Sequence, residues 1–151
     1  MIQEKIQSEN APQAIGPYSP AVKAGDFIFL SGQIPVDPKT GELIDGDIRL
    51  QTEQVLKNMQ ALLQEMDIDL KYVLKTTVFL TDMNDFGQMN EVYAQYFSEP
   101  YPARSAVQVG QLPKGAKVEI EAFAIDTRAI EVICSEESCR TCSDRECGVE
   151  S

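Results

Sequence analysis

The sequence predicts an α+β fold in which two helices pack on one face of a mixed β-sheet. Strand-like and helix-like segments alternate in the order β-β-α-β-α-β-β, which includes too few strands for a doubly wound sheet. The 151 residues, 43% of them hydrophobic, suit one domain with a substantial core. Because no further elements remain to cover the second face of the sheet, we expect the chain to oligomerise.

The first half of the chain predicts a hairpin followed by a helix. An apolar run over residues 27–30 follows the turn signal Gly25-Asp26, which indicates a strand whose hairpin partner is residues 21–24. After Asp47, apolar residues recur at the spacing of one helical stripe. The members of this stripe are Val55, Leu56, Met59, Leu62, Leu63 and Met66.

The second half predicts three more strands and one more helix. Residues 73–80 are rich in β-branched and aromatic side chains, which indicates a central strand. A second helical stripe ends before Pro100 and Pro102, and residues 103–109 form a candidate strand after these prolines. Alternation over residues 118–125 predicts a last strand with one wet face. The second stripe contains Phe86, Met89, Val92, Tyr93, Tyr96 and Phe97.

The charge of the chain argues against nucleic-acid and anionic membrane partners. Thirteen Lys and Arg residues against 24 Asp and Glu residues leave a net charge of −11, without any basic run. The apolar runs are far shorter than the roughly 20 residues that span a bilayer. Because residues 1–10 also lack a secretory signal pattern, we expect a cytoplasmic protein.

Histidine is absent, which excludes Ser-His-Asp and Cys-His catalytic systems. Arg104 is the most specific polar feature, because it follows Pro102 in an otherwise apolar strand. Its guanidinium either forms a structural ion pair or lies at the surface, or it binds a substrate carboxylate through two hydrogen bonds. Glu119 and Glu121 alternate with apolar residues, which is typical of a solvated face. If the two strands pair, one of these carboxylates can orient or deprotonate a water beside Arg104.

Four further residues are weaker candidates for a site. Tyr18 lies in a rigid, proline-rich turn, where a tyrosine more often packs than reacts. Ser31 and Gly32 end a strand, where a hydroxyl and backbone N–H groups can meet a ligand. Asn90 belongs to the second predicted helix and can simply be exposed.

The last residues differ in character from the rest, so we divide the chain into a domain of residues 1–130 and a Cys-rich acidic tail of residues 131–151. The four cysteines follow a C-x4-C-x2-C-x4-C pattern. Reduced thiols in a loosely ordered tail, a tetrahedral zinc site and disulfides all fit this pattern, although a reducing cytosol disfavours disulfides. Nothing specifically supports an iron–sulfur cluster. The cysteines are Cys134, Cys139, Cys142 and Cys147.

Several motifs, in order along the chain, resemble the RidA family, also called YjgF or reactive-intermediate deaminase. They are GPYSPA at 16–21, SGQIP at 31–35, TTVFL at 76–80, NDF at 84–86, PARSAV at 102–107, then Gly110, Leu112 and VEI at 118–120. The similarity spans residues 3–127. It implies a chorismate-mutase-like fold and a homotrimer whose sheets form a central barrel, with sites in the clefts between subunits.

The resemblance also implies hydrolysis of 2-imino acids and their enamine tautomers, such as 2-aminoacrylate, to 2-keto acids and ammonia without a cofactor. Arg104 would hold the substrate carboxylate, and Glu119 would position or activate the attacking water. We expect these two residues to lie on adjoining strands that face one crevice, closed by a neighbouring subunit. The resemblance further implies that the pocket is lined by Tyr18, Ser31 and Asn90, and that Gly32 contributes its backbone.

One position departs from the family pattern, because Ala106 stands where many relatives have a cysteine. Since water rather than a thiol is the expected nucleophile, the deaminase prediction stands without this cysteine. The reaction rate and the range of substrates are what the change leaves open. Two other functions stay open at this stage. One is a metabolite-binding module without turnover, and the other is an RNA-active protein, which would need a basic groove.

Overall fold

The computed structural model of the protein describes residues 2–133. The four tail cysteines, with the zinc site predicted as one alternative, lie outside the described residues. Across residues 2–133, none of the helices has both the length and the apolar character to cross a membrane.

The described residues form a six-stranded sheet and three α-helices. The strands are β1 (Glu4–Ile6), β2 (Ala21–Ala24), β3 (Phe27–Gln33), β4 (Val73–Leu80), β5 (Ala103–Gln108) and β6 (Val118–Ile125); the α-helices are α1 (Ile48–Gln64), α2 (Phe86–Tyr96) and α3 (Arg128–Ile133); short 3-10 helices occupy Leu70–Tyr72, Met83–Asp85 and Pro113–Gly115. The predicted order of seven elements is confirmed, and the structure adds β1 before it and α3 after it.

The sheet is mixed, with the strand order β1-β2-β3-β6-β4-β5. Its neighbouring strands are antiparallel except for β4 and β5, which are parallel because α2 connects them. The interior position predicted for residues 73–80 is confirmed, since β4 lies between β6 and β5. The α+β fold class is therefore confirmed.

The apolar stripe of α1 forms the centre of the core. The helix begins after Asp47, whose side chain accepts a 3.0 Å hydrogen bond from the backbone N–H of Leu50. Five stripe residues are fully buried, so the helix packs against the sheet along the predicted face. They are Val55, Leu56, Met59, Leu62 and Leu63.

The two faces of the sheet differ sharply. In β6, Val118, Ile120 and Ala122 are buried towards the helices, and the residues between them lie on the opposite face, which we call the open face. On the open face Phe27 and Phe29 are 52% and 54% exposed, and their rings lie 6.1 and 5.1 Å from that of Phe123. The sheet face expected to need cover thus carries an exposed aromatic patch, and no element of residues 2–133 covers it.

The expected pairing between the strands of Arg104 and Glu119 is wrong. β5 pairs with β4, and β4 separates it from β6. The connection through α2 places β5 beside β4 at the sheet edge, whereas β6 occupies the position between β3 and β4. The two residues therefore do not lie on adjoining strands.

Candidate active site

Four of the predicted site residues line one groove of about 610 Å³. The open face of β6 contributes Glu119, and the end of β3 contributes Ser31 and Gly32. Tyr18, 51% exposed, comes from the turn before β2. The rest of the wall is largely apolar, with Ile15, Ile34 and Val36 among its members, so the carboxylate of Glu119 lies beside surface that holds water weakly.

A β-bulge shapes the groove at Ser31 and Gly32. Leu30 pairs with Ala122 and Gln33 pairs with Ile120, so two residues of β3 oppose a single residue of β6. The Ser31 hydroxyl donates a 2.6 Å hydrogen bond to the Ser19 carbonyl, and the Ser31 N–H donates to the Pro20 carbonyl at 3.0 Å. These bonds join the turn that bears Tyr18 to the end of β3, and they use the hydroxyl proton of Ser31.

Gly32 and Glu119 are in direct contact. A Cβ atom at residue 32 would lie 2.7 Å from the Glu119 Cδ and 3.0 Å from its Cγ, and it would overlap the carboxylate. Glycine is therefore required here by the close approach of a side chain. Burial raises the pKa of the Glu119 carboxyl, and the negative charge of Glu121 raises it further. The carboxylate is accordingly a stronger base than an exposed glutamate.

Arg104 and Asn90 lie in a second group, on the helix face of the sheet. The Arg104 Cζ is 4.7 Å from the ring centroid of Tyr93 and 5.5 Å from that of Phe86. Asn90 follows Phe86 by four residues and precedes Tyr93 by three, so it shares their side of α2. Within residues 2–133, Arg104 forms no ion pair, so the structural ion pair considered above does not form with any acid of the described part.

The two groups lie on opposite faces of the sheet. Thr76 of β4 pairs with Arg104 on one side and with buried Ala122 on the other, so the Arg104 side chain projects towards the helices. Glu119 pairs with Phe79 and projects from the open face. The expectation that Arg104 and Glu119 of one chain face one crevice is therefore wrong. Successive side chains along a strand point to opposite faces of the sheet, and these two residues occupy positions of opposite direction.

Three residues beside these groups were not identified from the sequence. Phe86 and Tyr93 were assigned only to the core stripe of the second helix. They are seven residues apart with Asn90 between them, and this spacing indicated that one side of α2 carries both aromatic and polar side chains towards β5. Lys114 lines the groove, has a left-handed backbone with φ 57°, and donates from Nζ to the Gly41 carbonyl at 2.8 Å. It joins the loop before β6 to the groove's opposite wall.

Among the described residues, no group of three or more His, Cys, Asp or Glu side chains is arranged to hold a metal ion. The described part places a shielded carboxylate in a groove on one face of the sheet, and a guanidinium without an acidic partner among residues 2–133 on the other.

Comparison with known proteins identifies the family. The family model described as Endoribonuclease L-PSP matches residues 8–126, and the chain belongs to this family, which is the RidA/YjgF family expected from the motifs. A RutC family protein of Pyrococcus horikoshii is 58% identical over 123 residues, covering 82% of this chain and 98% of that protein. The human 2-iminobutanoate/2-iminopropanoate deaminase is 49% identical over 125 residues, covering 83% of this chain and 91% of that protein.

The fold is shared with solved structures of the family. The crystal structure of Escherichia coli TdcF with bound serine matches with a TM-score of 0.77 and 46% identity, covering 82% of this chain and 98% of that one. The similarity therefore extends over nearly the whole of these relatives.

Proposed function

We propose that this protein is an enzyme that hydrolyses reactive 2-imino acids and their enamine tautomers, such as 2-aminoacrylate and 2-iminopropanoate, to 2-keto acids and ammonia. The observation that carries the proposal is the 49% identity with the human 2-iminobutanoate/2-iminopropanoate deaminase over 91% of its length. The chemistry of the two residue groups agrees with it, since hydrolysis of an imino acid needs a carboxylate-binding cation and a base for water.

The substrate would be held by its carboxylate. Arg104 offers the in-plane N–H donors of its guanidinium, and these match the two oxygens of a carboxylate. Asn90, on the adjacent side of α2, adds an amide for the imine or keto group. The serine bound to TdcF is likewise a small molecule with a carboxylate, in a protein 46% identical to this one.

The water would be activated by Glu119. A protonated imine carbon is already electrophilic, so the protein mainly supplies orientation and charge complementarity. As the water oxygen bonds to the imine carbon, its proton passes to the Glu119 carboxylate. The same proton then goes to the nitrogen of the tetrahedral intermediate. The C–N bond breaks as the hydroxyl oxygen forms the C=O bond, the hydroxyl proton passes to the Glu119 carboxylate, and ammonia leaves with a keto acid. No electrons are exchanged, so this scheme needs no redox cofactor.

The groove residues would shape the space around that carbon. Tyr18 would close the exposed side, Ser31 would hold the Tyr18 turn through Ser19, and Gly32 would present its backbone to the ligand while leaving room for the Glu119 carboxylate.

A homotrimer would bring the two groups together across a subunit boundary. In this arrangement Glu119 of one protomer faces Arg104 and Asn90 of its neighbour, so that each cleft holds one complete site. Two features support it: the groups lie on opposite faces within one chain, and the described residues leave the aromatic patch of Phe27, Phe29 and Phe123 on the open face uncovered.

The tail of residues 131–151 would be dispensable for this reaction, with the deaminase domain spanning residues 1–130. We expect a chain that lacks residues 131–151 to hydrolyse imines at a rate within about twofold of the full chain. Loss of turnover in a protein that still melts cooperatively would show that the tail shapes the site.

The proposal is tested with imines generated in the cuvette. A dehydratase acting on threonine or serine, or an amino acid oxidase, releases the imine, and semicarbazide competes with the protein for it. We expect the full-length protein to reduce semicarbazone formation and to accelerate keto-acid release above the spontaneous rate. An unchanged release rate with retained keto-acid binding would instead identify a binding module. Salt-sensitive RNA retention or RNA cleavage would favour the RNA-active alternative.

A further inference from the structure

We propose that Tyr93 is a positioning residue that holds the Arg104 guanidinium ready to receive a carboxylate. The inference rests on the proposed function of Arg104 as the carboxylate clamp, and it adds the part of the protein that sets the orientation of this clamp.

Tyr93 is itself held on several sides. Its side chain is 4% exposed, and its ring stacks on Phe97 with a centroid distance of 4.4 Å. Its hydroxyl lies 2.8 Å from the Oγ1 of Thr76, which is fully buried. A tyrosine with its ring packed and its hydroxyl bonded has lost its freedom to rotate, so it presents a fixed surface to the guanidinium 4.7 Å away.

The strand register ties this contact to the sheet. Thr76 of β4 is the direct partner of Arg104 in β5. The hydroxyl anchor of Tyr93 and the base of the arginine side chain therefore come from paired positions, and the ring spans the space between them. Thr76 and Arg104 both belong to the sheet, so a displacement of α2 relative to the sheet would carry the ring away from its anchor and from the guanidinium at the same time.

The geometry matters because an aromatic ring and a carboxylate use different parts of a guanidinium. The ring attracts the cation through its flat face, which leaves the in-plane N–H groups available. An acidic neighbour would occupy those same N–H groups and compete with the substrate. Since Arg104 has no acidic partner among residues 2–133, the aromatic contact orders the side chain without blocking it.

The first test uses nuclear magnetic resonance of the full-length protein with labelled arginine. Protons of Arg104 above the Tyr93 ring are expected to resonate upfield of the other arginines, with the assignment made from Arg104→Lys. In Tyr93→Leu the upfield shift should shrink to the contribution of the more distant Phe86 ring, and in Tyr93→Phe, which keeps the ring, most of it should persist. Unshifted Arg104 resonances in the wild-type protein would overturn the inference, whether or not any variant folds.

The second test measures binding and turnover separately. In Tyr93→Leu we expect the dissociation constant for 2-oxobutanoate and the KM for 2-iminobutanoate to rise about three- to tenfold, with kcat within about twofold. Tyr93→Phe keeps the ring over Arg104 and loses only the hydroxyl anchor to Thr76, so both constants should lie between those of wild type and Tyr93→Leu. A folded Tyr93→Leu protein that binds 2-oxobutanoate as tightly as wild type would overturn the inference.

These tests separate the inference from the proposed function. A wild-type protein that fails to hydrolyse any imine removes the proposed function, yet the Arg104 shift and the binding of 2-oxobutanoate still report whether Tyr93 positions the clamp. Conversely, normal imine hydrolysis together with Arg104 resonances that are not shifted upfield would support the proposed deaminase function and overturn the positioning role of Tyr93.

Discussion

At Arg104, the rings of Tyr93 and Phe86 occupy the place where a surface arginine commonly meets an acid. We expect Arg104→Lys to lower kcat/KM about 10- to 100-fold, because a point charge cannot reproduce a two-bond fork. The melting temperature should change little, since residue 104 lies on the partly exposed edge strand β5. Near-normal kcat/KM in this variant would contradict the clamp role.

Glu119 is the second residue whose chemistry is set by its surroundings. Glu119→Gln keeps the shape and removes the base, so we expect kcat to fall by about 100-fold or more while 2-oxobutanoate binding changes little. Its raised pKa means that the charged carboxylate lowers folding stability above that pKa, so the Gln variant should melt no lower than wild type at pH 7. Equal losses in rate and binding would indicate a purely binding role.

Glu121 offers the matched control, because it lies on the same face two residues away and raises the pKa of Glu119. Glu121→Gln should keep most of the activity at pH 7. Because the base acts deprotonated, the rate falls as the pH drops through the raised pKa of Glu119, and removing the Glu121 charge should move this acidic limb to lower pH. A pH–rate profile of both proteins measures the shift, and an unmoved limb would exclude this coupling.

At the scale of elements, a charged cluster joins the end of β6 to the start of α3. Asp126 accepts hydrogen bonds from Lys23 Nζ at 3.1 Å and from Arg128 Nε at 2.8 Å, and Arg128 also donates to the Met66 and Asp67 carbonyls. These bonds hold the pKa of Asp126 well below its usual range, with the Arg128 hydrogen bond as the largest cause. The cluster therefore connects β2, β6 and the segment after α1.

We expect Asp126→Asn to lower the free energy of unfolding at pH 7 by about 1–3 kcal/mol, from the lost charged hydrogen bonds. A depressed pKa in the folded state contributes stability above the unfolded pKa of about 4 that is lost as the pH falls. Urea denaturation of both proteins at pH 7 and pH 3 should show the difference narrowing in acid. A constant difference would assign the effect to packing instead.

The helices and strands themselves were predictable from the sequence, whereas the order of the strands in the sheet was not. The apolar stripe of α1 and the alternation in β6 are local patterns, and each gave the correct element and buried face. β1 was missed because three residues with two exposed side chains leave no such pattern. The position of β6 between β3 and β4 depends on which strand edges meet after collapse, which local periodicity does not encode.

At the scale of the whole molecule, the opposite placement of Arg104 and Glu119 allows a complementation experiment. Arg104→Lys and Glu119→Gln should each retain at most about one tenth of the wild-type activity alone. After joint unfolding and refolding in equal amounts, the mixture should recover about one quarter of the wild-type activity, because in the proposed homotrimer each cleft draws one group from each of two chains. Light scattering during gel filtration checks that the parents and the mixture have the mass of three chains.

A refolded mixture that stays inactive while forming the same oligomer would contradict a site shared between subunits. The double variant Arg104→Lys/Glu119→Gln, refolded with either single variant, is the matched control. Each of its clefts lacks at least one of the two groups, so no recovery is expected.

The sequence by itself determined the fold class and the family, and it supplied the prediction of which residues bear the chemistry. Local spacing predicts helices and strands, and the ordered motifs carry Arg104, Glu119, Tyr18, Ser31 and Gly32 with them. Only the tertiary structure decided the grouping, with Glu119 against Gly32 on one sheet face and Arg104 against Tyr93 on the other. The physical reason is that side-chain direction follows from strand order and register, which arise from contacts between residues far apart in the chain.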